Sequence, residues 1–445
     1  LVFNALSQLS SADTVPDLAV RLVRGLGGPL PLGAREQLCR DVFQWIREPL
    51  PDPRRPLDAF VDERRVLSTY ASQADVELSV EDVVSSPLIL TTDVQRTLDT
   101  LRPWMEQHND FILVGPEGVG KSNLLFRLFA EQSRASVAIM HCNAQTTPQD
   151  VIQTLAQACM VLTTNAGRVL RPKEGESLIL YIKDINLPKP DKWGTSFIVQ
   201  FLQQLIAYRG FYDHNLEWVG IENVQIVASM NPSSTLGRHA LSTRFTSTVR
   251  ILYVDYSEAA QMQEVYTSML GPLLQFKYNG EVGQWTTPQN VSRLAASMVA
   301  VYEFAKREFT RDTQGHYIFT PVFLTEWALS LLRYDLSSVN LLDAWAYSAQ
   351  MLFRNTLIAD HQARFDSFLE TLLQRDWAHD LEKLNASVFT TLIPTADVHT
   401  MNQGKPLTLV SLEDYADMLK TGITPDFIVV DGAEGGTGAA PLELA

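Results

Sequence analysis

Short apolar runs alternate with helix-spaced stretches between about residue 83 and residue 256. Runs at 111–114, 137–140, 178–182, 224–228 and 250–254 are mostly aliphatic and predict strands. Stretches at 123–131, 147–163 and 195–208 place apolar residues three and four apart and predict helices. Strands that alternate with helices build a parallel sheet covered on both faces, which sets the fold class as α/β.

The flanks read differently. Stretches at 19–26 and 34–46 have helical spacing, and Pro49, Pro51, Pro53 and Pro56 then form a linker. A further helix is expected at about 62–72. From 257 to about 390 the pattern is helical throughout, with candidates at 259–270, 290–307, 321–332 and 341–354. No internal repeat is found. The stretch 432–440 is Gly/Ala-rich and is expected to be poorly ordered.

Composition narrows the function. At 46% hydrophobic and 20% charged, the balance is that of an ordinary globular protein, and 445 residues suggest two to four domains. The net charge of −15 argues against a protein built to grip nucleic acid, which needs clustered Lys and Arg. Cys39, Cys142 and Cys159 form no CxxC pair, so neither a zinc site nor a disulfide framework is expected. No apolar run is long enough to span a membrane. The first residue is Leu1, and the start is read as a cut through a longer polypeptide.

The chemistry centres on Gly115-Pro116-Glu117-Gly118-Val119-Gly120-Lys121-Ser122, a full GxxxxGK[ST] match behind a strand and ahead of a helix. Glycines let backbone N–H groups wrap a crowded polyanion. Lys121 would reach the β- and γ-phosphates, Ser122 would hold Mg²⁺, and the helix start adds its positive end. A phosphate-binding loop of this kind takes ATP or a close relative, whereas the bland alternative is an ordinary glycine-rich turn. At the end of the 178–182 run, Lys183-Asp184 offers one acid, although hydrolytic sites usually carry two there. Asp184 is a candidate for metal binding or water activation, or simply the residue that ends a strand. Asn231 could orient the attacking water, but Asn-Pro alone is only a turn signal. Arg244 is a candidate arginine finger or a surface ion-pair partner.

Longer stretches carry a resemblance. Lys183-Asp-Ile-Asn-Leu-Pro-Lys-Pro-Asp-Lys-Trp-Gly-Thr195, then Gly210-Phe-Tyr212, Leu216-Glu-Trp-Val219, Leu236-Gly-Arg238 and Thr243-Arg-Phe245, resemble the dynein heavy chain. The likeness is to the third of its six AAA+ modules. The KDINLPKPDKWG wording, with Cys159-Met160, Gly167-Arg168 and Arg171-Pro172-Lys173, resembles the ciliary cytoplasmic branch that drives retrograde intraflagellar transport.

That resemblance implies a P-loop AAA+ α/β sandwich followed by a helical lid, with a helical N-terminal segment. It assigns 1–80 to the tail of the preceding module, 81–256 to the large nucleotide-binding domain, 257–395 to the lid and 396–422 to the connection onward. It implies ATP or ADP with Mg²⁺ as cofactors. Leu88 and Leu90 fall in the loop that packs on adenine, Asp184 in the Walker B end, Asn231 at the first sensor and Arg244 at a finger serving the preceding module's site. The segments 210–218 and 233–239 resemble inserts that communicate with the motor's linker. Implied partners are the adjacent AAA+ modules and, through the parent motor, microtubules and the intermediate and light intermediate chains. The implied places are cytoplasm, cytoskeleton and cilium.

Two departures matter. Lys183-Asp184 stands where many relatives have Asp-Glu, and Val322 stands where a second-sensor arginine is common. Both imply nucleotide holding with slow or no hydrolysis. The tail, 423–445, resembles instead the Gly-rich segment of the FMN-binding domain of glutamate synthase. Without the rest of a barrel it is expected to be disordered and silent. Two other readings stay in view: a purely structural ring segment, and a flavoenzyme or amidotransferase fragment.

Overall fold

The computed structural model describes residues 14–390 and 408–412, except 63, 75–77, 86, 165–166, 279, 281–282, 382–383 and 385–386. The tail at 423–445 lies outside the described residues. The chain forms two compact units, one of Leu1–Gln73 with Leu88–Ser257, the other of Ala74–Pro87 with Glu258–Ala445.

In the first unit, helices Val15–Gly27 and Leu32–Ile46 bury Ala19, Val20 and Val23 against Cys39, Val42 and Phe43. Arg35 fixes the turn between them. Its guanidinium donates to the carbonyls of Gly27, Gly28, Leu30 and Tyr253 at 2.9–3.0 Å. Burial lowers its pKa from 12.5 to about 10. Gly28 is required there, because an added Cβ would sit 2.7 Å from the Ile251 carbonyl.

The helix expected at 62–72 is a hairpin instead. Strands β1 (Ala59–Val61) and β2 (Leu67–Thr69) pair antiparallel. The Asp62 carboxylate accepts from the Val66 N–H at 2.8 Å, and Arg65 takes φ 62°. Phe60 stacks on Tyr70 with centroids 4.4 Å apart. A charged tip with an Asx-type turn favours a reversal over a helix.

Among the described residues of this unit nine more strands follow: β3 (Phe111–Val114), β4 (Ala135–His141), β5 (Cys159–Thr164), β6 (Gly167–Pro172), β7 (Ser177–Lys183), β8 (Gly210–Tyr212), β9 (Trp218–Ile221), β10 (Val224–Met230) and β11 (Arg250–Tyr253). The central sheet has the order β11-β3-β10-β7-β4, parallel throughout. Side chains alternate across it. Leu178, Leu180 and Ile182 of β7 meet Val151, Leu155, Ile198 and Leu202 of helices Pro148–Ala158 and Phe197–Tyr208. Ile179 and Tyr181 meet Leu98, Leu101, Leu124 and Leu128 of helices Thr92–Glu106 and Lys121–Ala130. Each such leucine or isoleucine contributes about 1.5–3 kcal/mol on burial, so both layers hold the sheet.

The helix expected at 147–163 stops at Ala158, and residues 159–164 form β5. The β-branched residues of Val161-Leu-Thr-Thr164 favour a strand, and β5 pairs antiparallel with β6. A second sheet, β5-β6-β9-β8, results. It was not foreseen. It carries the 210–218 segment as a hairpin, with Tyr212 and Trp218 rings 5.0 Å apart. Arg168 bridges Asp213 and Glu217 across it.

The second unit is helical over Ala259–Lys277, Pro288–Glu308, Pro321–Ser330, Leu341–Leu352 and Ala359–Trp377. A short helix, Val80–Val84, belongs to it, and Ser268 Oγ donates to the Ala74 carbonyl at 2.6 Å. Its core is aromatic. Trp327, Trp345, Phe309, Phe353 and Phe365 are fully buried, and Trp327 Nε1 donates to the Trp345 carbonyl at 2.9 Å. Strands β12 (Ser387–Thr390) and β13 (Thr408–Ser411) pair antiparallel.

Candidate nucleotide site

The glycine loop joins β3 to helix Lys121–Ala130. Its glycines do distinct work. Gly118 and Gly120 take φ 71° and 85°, a region that favours glycine. Gly115 donates to the Met230 carbonyl at 3.2 Å, and a Cβ on it would lie 2.5 Å from the Val254 carbonyl. The loop is therefore pinned between β10 and β11.

Lys121 folds over this loop. Its ammonium donates to the carbonyls of Gly115 and Pro116 at 2.8 and 2.7 Å, and to Asn231 Oδ1 at 2.8 Å. Asn231 Nδ2 lies 3.3 Å from Glu117 Oε1, and the Tyr256 hydroxyl donates to the Glu117 carbonyl at 2.6 Å. Burial drives the Lys121 pKa from 10.5 down to about 8, against the opposing pull of Asp184 and Glu117.

Beneath the loop, Ser122 Oγ lies 3.4 Å from the Tyr181 hydroxyl, which lies 3.0 Å from Ser229 Oγ. Tyr181 was not singled out from the sequence, although a phenol in an otherwise aliphatic strand is a readable signal.

Asp184 follows β7 with φ 60°, a left-handed value that aspartate adopts more readily than most residues other than glycine. Its Oδ1 stands 3.2 Å from Arg238 Nη1. Lys183 stays in the sheet, in register with His141 and Ser229. Among the described residues no cluster of three or more His, Cys, Asp or Glu could hold a metal. Mg²⁺ needs no such cage. It keeps several waters and takes one or two protein oxygens plus phosphate oxygens, a demand that Ser122 and Asp184 fit.

Leu88 and Leu90 are partly buried and pack on the cluster that includes Leu124 and Leu128 of the loop's own helix. Arg244 is exposed on the one-turn helix Thr243–Thr246, anchored by buried Phe245. Among the described residues its side chain makes no hydrogen bond or ion pair with this site. The geometry thus gathers Lys121, Ser122, Asp184 and Asn231 and leaves Arg244 exposed and apart from them. In the other unit, Val322 is 45% exposed on helix Pro321–Ser330.

The three cysteines are free, buried thiols whose pKa values burial raises to about 11–12, so none is a ready nucleophile. No described helix is long and apolar enough to cross a membrane.

A family profile described as the P-loop containing dynein motor region matches residues 76–256. A second, described as the dynein heavy chain ATPase lid domain, matches 269–363. Cytoplasmic dynein 2 heavy chain 1 of Tripneustes gratilla is 45% identical over 94% of this chain and 10% of its own length. The protein of the same name from Homo sapiens is 42% identical over 95% of this chain and 10% of its own length. A cytoplasmic dynein heavy chain of Caenorhabditis elegans is 31% identical over 67% of this chain and 7% of its own length. The chain spans about a tenth of the length of the dynein 2 relatives it matches. It belongs to the dynein heavy-chain family, as an AAA+ P-loop module with its lid.

Proposed function

We propose that this chain is a regulatory ATP-binding module, third in the ring of a dynein heavy chain of the dynein 2 type. In this reading it holds ATP or ADP with Mg²⁺ and hydrolyses slowly or not at all. Lys121 takes the β- and γ-phosphates, Ser122 and Asp184 serve the metal, Asn231 orients water, and Leu88 and Leu90 flank the base. Residues 1–80 belong to the preceding module, 81–256 to the nucleotide-binding domain, 257–395 to the lid and 396–422 to the connection onward. Arg244, exposed and without a contact to its own loop among the described residues, suits a finger for the preceding module's site. The parent motor would run on microtubules in retrograde intraflagellar transport, with the adjacent modules and its intermediate and light intermediate chains as partners.

The observation that carries slow hydrolysis is the single acid. Asp184 already faces Arg238, and Lys183 stands where a second carboxylate would be needed. Two acids normally divide metal binding and water activation. A single-turnover ATPase assay tests this. The expected result is stoichiometric ATP retention with little phosphate release. Brisk hydrolysis abolished by Lys121→Ala would overturn it. A purely structural segment would instead purify without nucleotide and show no ATP-dependent change in melting temperature.

A further inference from the structure

Arg238 reaches the proposed nucleotide site from the loop after Asn231, and the roles proposed for that site leave it without a task. Its guanidinium is 14% exposed and stands 3.2 Å from the Asp184 carboxylate, itself 26% exposed. The charges are close, yet Nη1 is fully buried and makes no aligned hydrogen bond. A guanidinium carries five N–H donors in a planar fork that suits phosphate oxygens. This one therefore keeps unused donor capacity inside the site.

Its surroundings fix its aim. The loop turns twice, with the Thr235 N–H donating to the Pro232 carbonyl at 3.0 Å and the Arg238 N–H to the Thr235 carbonyl at 3.1 Å. Gly237 supplies the left-handed residue at φ 74°. The His239 N–H then donates to the Asn186 carbonyl at 3.0 Å, while Asn186 Nδ2 donates to the Asn231 carbonyl at 2.8 Å. Both ends of the loop are thus tied to the residues around Asp184 and Asn231. The Lys121 ammonium feels Asp184 as a favourable charge and Arg238 as an opposing one, so all three share one electrostatic neighbourhood. Leu236, at the far side of the loop, is 87% exposed.

We propose that Arg238 is the residue that distinguishes a nucleoside triphosphate from a diphosphate, exchanging the Asp184 carboxylate for the terminal phosphate when that phosphate is present. The proposal rests on the reading of this site as a nucleotide site. A terminal phosphate offers more negative charge and more acceptor oxygens than one carboxylate, and charge-assisted bonds to it are the stronger kind. A diphosphate offers no such competitor, so the Asp184–Arg238 pair persists. The exchange frees Asp184 to face the metal or water. It also draws the loop 232–239 inward, which changes how Leu236 is presented. A ligand shifts a conformation only by its differential affinity for two states, and the terminal phosphate supplies that difference.

Calorimetric titration of the whole chain with Mg²⁺-ATP and with Mg²⁺-ADP tests the idea. Arg238→Gln is expected to weaken ATP binding about tenfold and leave ADP binding within about twofold, since one charge-assisted contact is lost only with ATP. Arg238→Lys, which keeps charge without the fork, is expected to fall between. Arg238→Lys also carries the test should Arg238→Gln fold poorly, since it keeps the charge beside Asp184 and removes only the fork. An unchanged ATP/ADP ratio in both Arg238 variants overturns the proposal and leaves the nucleotide site standing. No Lys121-dependent binding in the unaltered chain overturns the nucleotide reading itself, and the proposal with it.

Discussion

Lys121 Nζ donates to Asn231 Oδ1 at 2.8 Å, which ties the loop's lysine to the end of β10. Asn231 thus holds the lysine, a contact separate from the water-orienting role proposed for it. Lys121→Ala is expected to weaken nucleotide binding about ten- to a hundredfold, the worth of one charge-assisted contact. Asn231→Ala is expected to change affinity less than about threefold, because two carbonyls still hold the ammonium. Equilibrium titration with a fluorescent nucleotide separates the two. Equal losses would contradict a supporting role for Asn231.

The Lys121 pKa gives a pH signature. Burial lowers it to about 8 in the folded chain, against 10.5 for the free group. The folded state therefore binds fewer protons than the unfolded state between pH 8 and 10.5. The burial penalty on stability is fully present below about pH 8 and is relieved as pH rises toward 10.5. Nucleotide affinity runs the opposite way, because phosphate needs the ammonium. Affinity is expected to fall as pH rises through 8, approaching about tenfold per pH unit. Calorimetry at pH 8.5 in buffers of different ionisation heat should register proton uptake on binding, and Lys121→Ala should abolish it.

Gly115→Ala probes the close approach of the loop to β11. The new methyl would lie 2.5 Å from the Val254 carbonyl, backbone that cannot rotate away. The loop must shift, so nucleotide affinity is expected to drop at least about tenfold with little change in helix content by circular dichroism. Gly33→Ala, with nothing within 4 Å, is the matched control and is expected to bind normally.

The second unit depends on its tryptophans. Trp327 is fully buried, 4.5 Å between centroids from Trp345, and Nε1 is satisfied by the Trp345 carbonyl. Trp327→Ala is expected to cost about 3–5 kcal/mol. In urea, the transition reported by the aromatic near-ultraviolet signal of the lid should move to lower concentration. Nucleotide titration beforehand would show whether the P-loop unit is intact.

The parallel core was legible because strands buried on both faces read as near-continuous apolar runs, as β7 and β10 do. The loop was legible because its chemistry admits few residue types. The β5-β6-β9-β8 sheet was not, since its strands are short and half-exposed and its two hairpins are joined only by the β6–β9 pairing, distant in sequence, which no periodicity marks. The hairpin at Ala59–Thr69 was missed because its determinant is one carboxylate closing a turn, which spacing does not reveal. Within the site, Lys121, Ser122 and Asp184 announce themselves by motif. Arg238 lies 54 positions from Asp184 in the numbering and meets it only through the fold.

The Arg35 guanidinium bonds at once to the turn between the two leading helices and to the Tyr253 carbonyl of β11. The recognisable motor region begins at residue 76, yet the body that folds around its sheet includes residues from 14 onward. The matched motor profile and the folding unit therefore have different borders in this chain. An expression boundary drawn at the start of that match would remove the Gly28 carbonyl and the Arg35 guanidinium from Tyr253 and leave the outer edge of β11 without them. A boundary ahead of Val15 keeps the nucleotide loop on the foundation it was built against.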